Sequence, residues 1–117
     1  MDYLDLNTNW PLARTFQRHG ESLGREFLNA ESFGGAGSTD MGNVSHRVPS
    51  IHPMLACAPR NVVIHNPEFA GYAGGESGDT AALDGAKALA LTAAEYLLDE
   101  GLRAETRKAF DVSRGLS

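Results

Sequence analysis

The chain has 117 residues, with 42% hydrophobic and 21% charged content and 13 glycines, which is one domain's length and a loop-rich globular composition, not a disordered one. A net charge of -5 and a pI near 5.2 argue against nucleic acid or an anionic membrane as a partner. No apolar run approaches the roughly 20 residues of a membrane span, the acidic start MDYLDLNTNW lacks the regions of a signal peptide, and the single cysteine, Cys57, leaves no intrachain disulfide and no cysteine-based zinc site. The expectation is a soluble, cytoplasmic chain.

Residues 3–6 alternate polar and apolar side chains weakly and read as a short strand. Asn7, Thr8 and Asn9 follow, and Pro11 falls in a first helical turn, where its missing N–H has no intrahelical partner. Leu12, Phe16, His19 and Leu23 recur at helical spacing, with Arg14, Gln17, Arg18 and Glu21 on the other side. The spacing predicts an amphipathic helix over 10–23, stopped by Gly24. A second short strand is expected at 25–29.

The glycine-rich loop 34–42 lacks both the Gly-Lys-Ser/Thr of a P-loop and the G-x-G-x-x-G spacing. Its bland reading is a set of tight turns, with Ser38 or Thr39 capping a helical turn. Pro49 and Pro53 bar the following stretch from a helix interior, and MLACAP reads as a buried strand at 54–58 with Cys57 an inert, buried thiol. Residues 62–64 add a few extended positions before His65, and 69–78 form another glycine-rich loop. The longest helix is expected from Asp79 or Thr80 to about Asp99. Its apolar positions cover far more than one stripe, the pattern of a helix buried or packed closely on a sheet, with Gly85 permitting a short approach. Gly101 is read as its break, and 102–110 as a short amphipathic helix. The element order gives a partial three-layer α/β domain with flanking helices.

Of the four histidines, His19 reads as a half-buried structural residue on the first helix, and His52 as a hydrogen-bonded structural one at a strand start. Nothing in the sequence assigns a role to His46. An isolated histidine before Asn-Pro, as at His65, is by itself a weak ligand signal.

The stretch 33–71, FGGAGSTDMGNVSHRVPSIHPMLACAPRNVVIHNPEFAG, carries the most recognisable letters. Its GSTDMGNVS, VPSIHP and HNPEF resemble, in order and spacing, the C-terminal catalytic segment of the dinuclear-zinc aminoacylase and carboxypeptidase family (peptidase family M-20, amidohydrolase branch). The resemblance runs from about residue 3 to 110. It implies a zinc-dependent hydrolase acting on amide bonds of N-acyl amino acids or small dipeptides. It implies that His65 is a zinc ligand, a role suited to a neutral imidazole. It also implies that Gly37, Ser38, Thr39 and Asp40 line the substrate side of the cleft, their amides and hydroxyls suited to a substrate carboxylate.

A co-catalytic zinc pair needs more ligands and a general base, and the family's Asp-x-His and Glu-Glu are missing from this chain. Residues 1–117 are therefore expected to be the C-terminal portion of the catalytic domain, without its N-terminal half or lid, with no catalytic residue of its own, and associating as a homo-oligomer through uncovered edges. The competing reading is a non-catalytic small α/β domain acting in self-association or partner binding.

Overall fold

The computed structural model describes residues 6–25, 40–55 and 74–115. Among them the chain forms helices α1 (Trp10–Ser22), α2 (Asp40–Ser45), α3 (Glu76–Leu98) and α4 (Glu100–Ser113).

The first helix forms where the sequence places it. Asn9 is its N-cap, its side-chain oxygen accepting from the Leu12 N–H at 3.3 Å. Pro11 occupies the first turn, where no backbone donor is wanted. At the other end Gly24 has φ +89, a conformation that costs an L side chain but not glycine. Its N–H reaches the Glu21 carbonyl at 3.0 Å, and the Arg25 N–H reaches Gly20 at 3.1 Å, closing the last turn.

The α/β architecture expected from the sequence is overturned. Among the described residues there is no strand, only one isolated parallel bridge between Thr8 and Ser50. The reason lies partly in the prolines. Residues 51–55 carry no helix or ladder, and Pro49 and Pro53 lack the N–H donors that a ladder through this segment would need. Met54 is half exposed, so the described start of the expected 54–58 strand is not a buried one. Leu6, the described end of the 3–6 strand, is not in a strand either. The expected strands at 25–29 and 62–64, and Cys57, lie outside the described residues apart from Arg25.

The two C-terminal helices also depart from expectation. Helix α3 begins at Glu76, with Glu76 and Asp79 in its first turn and no side-chain cap on Gly75; acidic groups there complement the helix dipole. The break between α3 and α4 is Asp99, not Gly101. Asp99 adopts φ -109, ψ 101, and its Oδ1 accepts from the Leu102 N–H at 3.1 Å, capping α4. Gly101 is inside α4. Arg103 then reaches back, its Nη1 donating to the Tyr96 and Leu97 carbonyls at 3.0 and 2.6 Å, two acceptors left over at the end of α3.

The core is small. Ala13 and Phe16 of α1 meet Ala88 of α3, with Leu23, Ile51 and Leu55 packed against them. Gly85 has the close-approach role expected of it, although what comes close is not a sheet. A Cβ there would stand 3.1 Å from Leu55 Cδ1. Helix α3 is not buried all round: Ala81, Ala88 and Thr92 face inward, while Leu83, Leu89, Leu91, Leu97 and Leu98 are exposed. Its inner stripe is small and partly polar, and its leucines lie outside.

Candidate functional site

Part of the recognisable stretch is described. The DMGNVS half of GSTDMGNVS is helix α2, so Asp40 is placed as its first residue. Gly37, Ser38, Thr39 and His65 lie outside the described residues.

What holds α2 is a knot of short polar bonds from the N-terminal segment. Ser45, the last residue of the motif, is fully buried. Its hydroxyl donates to the Gly42 carbonyl at 2.6 Å and accepts the Asn7 backbone N–H at 2.8 Å. The Asn7 side-chain amide donates to Ser113 Oγ on α4 at 2.9 Å. Two residues later, the Asn9 N–H donates to the Ser50 carbonyl at 2.9 Å, and Asn9 Nδ2 donates to the Thr106 carbonyl at 3.0 Å. Residues 7–9 thus tie both ends of 45–50 to α4. A buried polar group without partners is costly, so a knot with so many satisfied donors fixes one arrangement. Its effect is to hold α2 and residues 46–50 against α4.

The remaining histidines fall in different settings. His19 is the half-buried structural residue expected: its Nε2 lies 3.0 Å from Glu95 Oε1 on α3. The same carboxylate takes both Nη groups of Arg18, at 3.0 and 2.6 Å. Arg18's hydrogen bond holds the Glu95 carboxyl below the usual carboxylate range; desolvation opposes this, and His19 adds to it. A second cross-helix pair, Arg25 Nε to Asp84 Oδ2 at 2.8 Å, joins the chain after α1 to α3. His52 is half-buried and His46 exposed. Beside the Arg18–Glu95 pair, a polar cavity of about 300 Å³ opens between α1, α3 and α4. An apolar groove of about 600 Å³ runs between 48–51, α3 and the residues Leu12, Thr106 and Arg107 of α1 and α4.

Zinc is bound by three or four donors converging on one point. Among the described residues no three His, Cys, Asp or Glu side chains converge in this way, and His65 lies outside them. The sequence reading did not single out Ser45 or Glu95. Ser45 stands inside the quoted motif, and only its distant partner Asn7 shows its role.

No protein-family model matches the chain. It is similar to the Xaa-Arg dipeptidase of Mus musculus, 34% identical over 111 residues, covering 93% of this chain and 26% of that protein. It is likewise similar to the Xaa-Arg dipeptidase of Homo sapiens, 36% identical over 108 residues, covering 87% of this chain and 24% of that protein. The chain spans about a quarter of the length of these relatives. Likeness at this level, over most of the chain, supports kinship with a peptidase family.

Proposed function

We propose that this chain is the C-terminal catalytic-domain segment of a zinc-dependent dipeptidase of the amidohydrolase branch of peptidase family M-20. The observation that carries the reading is the similarity of nearly the whole chain to two proteins named Xaa-Arg dipeptidase. The motif letters of 33–71 support the branch. A dipeptide is the substrate class favoured by those names, and N-acyl amino acids present the same amide and carboxylate.

In a protein of the relatives' length, His65 contributes one imidazole to the metal, and the remaining donors and the general base come from elsewhere. The ion would polarise the scissile carbonyl and supply activated water. The part assigned to this chain is positioning. Residues 37–40 offer amides and hydroxyls to the substrate carboxylate, and the Asn7–Ser45 and Asn9–Ser50 bonds hold the segment that follows.

A chimera tests this. The matching quarter of the human relative is replaced by this chain, and dipeptide hydrolysis and bound zinc are measured. Retained turnover, lost together with zinc in His65→Ala, is the expected result. A well-folded chimera that binds full zinc in both forms sinks the ligand assignment.

A second reading, self-association without catalysis, draws on one feature: the leucines of α3 face outward.

A further inference from the structure

Asn7 and Asn9 stand two residues apart, and each bonds in two directions. Their backbone N–H groups donate to Ser45 Oγ at 2.8 Å and to the Ser50 carbonyl at 2.9 Å, the same side that alternate N–H groups of an extended chain share. Their side-chain amides reach α4 instead. Asn7 Nδ2 donates to Ser113 Oγ at 2.9 Å, and Asn9 Nδ2 to the Thr106 carbonyl at 3.0 Å. Thr106 and Ser113 are two turns apart on one side of α4, about 10.5 Å along its axis.

At Asn7 the hydrogen bonds connect end to end. Ser113 Oγ, which accepts from Asn7, donates to the Phe110 carbonyl at 2.6 Å. Asn7 holds Ser45 by its N–H and, at 3.4 Å, by its side-chain amide to the Ser45 carbonyl. Ser45 Oγ donates in turn to the Gly42 carbonyl at 2.6 Å. A continuous run of bonds thus leads from the last turn of α4 into α2. With 6 residues, α2 is too short to persist as a helix on its own. Its place depends on what it is tied to, and the bonds through Asn7 tie it to α4.

We propose that Asn7 is a positioning residue for substrate binding. Clasped between Ser45 and Ser113, it sets α2, and with it Asp40 at the start of α2, where residues 37–40 take the substrate carboxylate. The role rests on the assignment of residues 37–40 to that carboxylate, and it adds the group that aims them.

Asn7 touches neither substrate nor metal in this role. It acts through the fraction of molecules whose α2 stands in place. A binding-competent state that is populated less raises the apparent dissociation constant in proportion. The substrate carboxylate takes no part in the bond change, so the grip on it is the same in the ground state and the transition state. Loss of such uniform binding raises KM and spares kcat.

The chimera with the human relative carries the test, with bound zinc and circular dichroism measured for each variant. Asn7→Ala keeps the backbone N–H to Ser45 but drops both side-chain bonds. It is expected to raise KM for a dipeptide about fivefold, the equivalent of one ordinary hydrogen bond, with kcat and zinc within about twofold of the unmodified chimera. Ser113→Ala removes the bond to α4 from its exposed end, so it moves KM the same way and decides the matter if Asn7→Ala folds poorly. Gly85→Leu disturbs a different contact, the packing of Leu55, and is expected to leave KM unchanged.

A chimera without turnover overturns the assignment of residues 37–40 and the role of Asn7 with it. An active chimera in which Asn7→Ala and Ser113→Ala both keep the original KM overturns the role of Asn7 alone. A fall in kcat at constant KM, or a rise in KM that Gly85→Leu matches, overturns it as well, since either would follow from lost stability without any aiming of α2.

Discussion

Asn9 and Thr106 stand 97 positions apart, yet the Asn9 side-chain amide donates to the Thr106 carbonyl at 3.0 Å, with Asn9 only 4% exposed. The other end of the same amide caps α1. One short side chain therefore starts the first helix and joins it to the last.

Replacing Asn9 by Ala removes the cap and the buried donor together. The expected cost is about 2 kcal/mol, since a lost cap is worth ~1 and the bond to the Thr106 carbonyl, which keeps its intrahelical donor, about 1. Asn9→Asp keeps the capping oxygen but sets a carboxylate in place of the donor to the Thr106 carbonyl, so it should not rescue. Urea unfolding of the two variants checks this. A loss under about 0.5 kcal/mol for Asn9→Ala means that the bond to α4 contributes little.

Gly85 offers a test of the packing of 51–55 on α3. Alanine is favoured over glycine in a helix interior by about 0.5–1 kcal/mol, but its Cβ would stand 3.1 Å from Leu55 Cδ1. That atom is the tip of a half-buried side chain, which can shift by a few tenths of an ångström. Gly85→Ala is expected to stabilise by a few tenths of a kcal/mol, and Gly85→Leu, which displaces Leu55 outright, to cost about 1–3 kcal/mol. Thermal melts of both variants decide it. Equal melting temperatures for Ala and Leu would mean that Leu55 does not rest there.

How much of this was legible in the sequence depends on where the deciding partner sits. The α1 boundaries follow from Asn9, Pro11 and Gly24, all local signals. Asp99 misled in the opposite sense. It reads as the tail of a long helix, and Gly101 as its break, until the Asp99 carboxylate is seen to accept from Leu102 three residues on. The sheet rests on apolar runs whose ladder partners no local pattern can supply, and Pro49 and Pro53, which bar a helix, also lack the donors of a ladder. The outward leucines of α3 were read as burial, because periodicity gives the width of an apolar face but not which side a neighbour covers. At the end of α2, the role of Ser45 rests on Asn7, 38 positions away, and no spacing rule reaches that far.

Acid should weaken the α1–α3 contact. The Glu95 carboxyl is held below its ordinary range by Arg18, so its contribution is present above the unfolded value of about 4.3 and is lost as pH falls through the lower folded value. Glu95→Gln should flatten that part of the acid limb. Arg18 is well exposed, so the pair is worth only about 0.2–1 kcal/mol at neutral pH. Stability curves of the two proteins from pH 7 to 3 should converge at the acid end. Curves that stay parallel below pH 4 would show that Glu95 does not carry the effect.

The last expectation concerns chemistry. Hydrolysis by metal-bound water needs a cluster of donors and a base beside them. Among the described residues none converge, and the 117-residue sequence has neither an Asp-x-His nor a Glu-Glu pair. His65 alone supplies one imidazole. The chain by itself, given excess zinc, is therefore expected to show no dipeptide or N-acetyl amino acid hydrolysis above the uncatalysed rate, while the chimera with the human relative does. Both are assayed by release of free amino acid, with and without a chelator. Turnover by the chain alone that survives purification and vanishes on chelation would mean that it assembles a metal site from its own side chains, and the reading of it as one contributor to a larger site would fall.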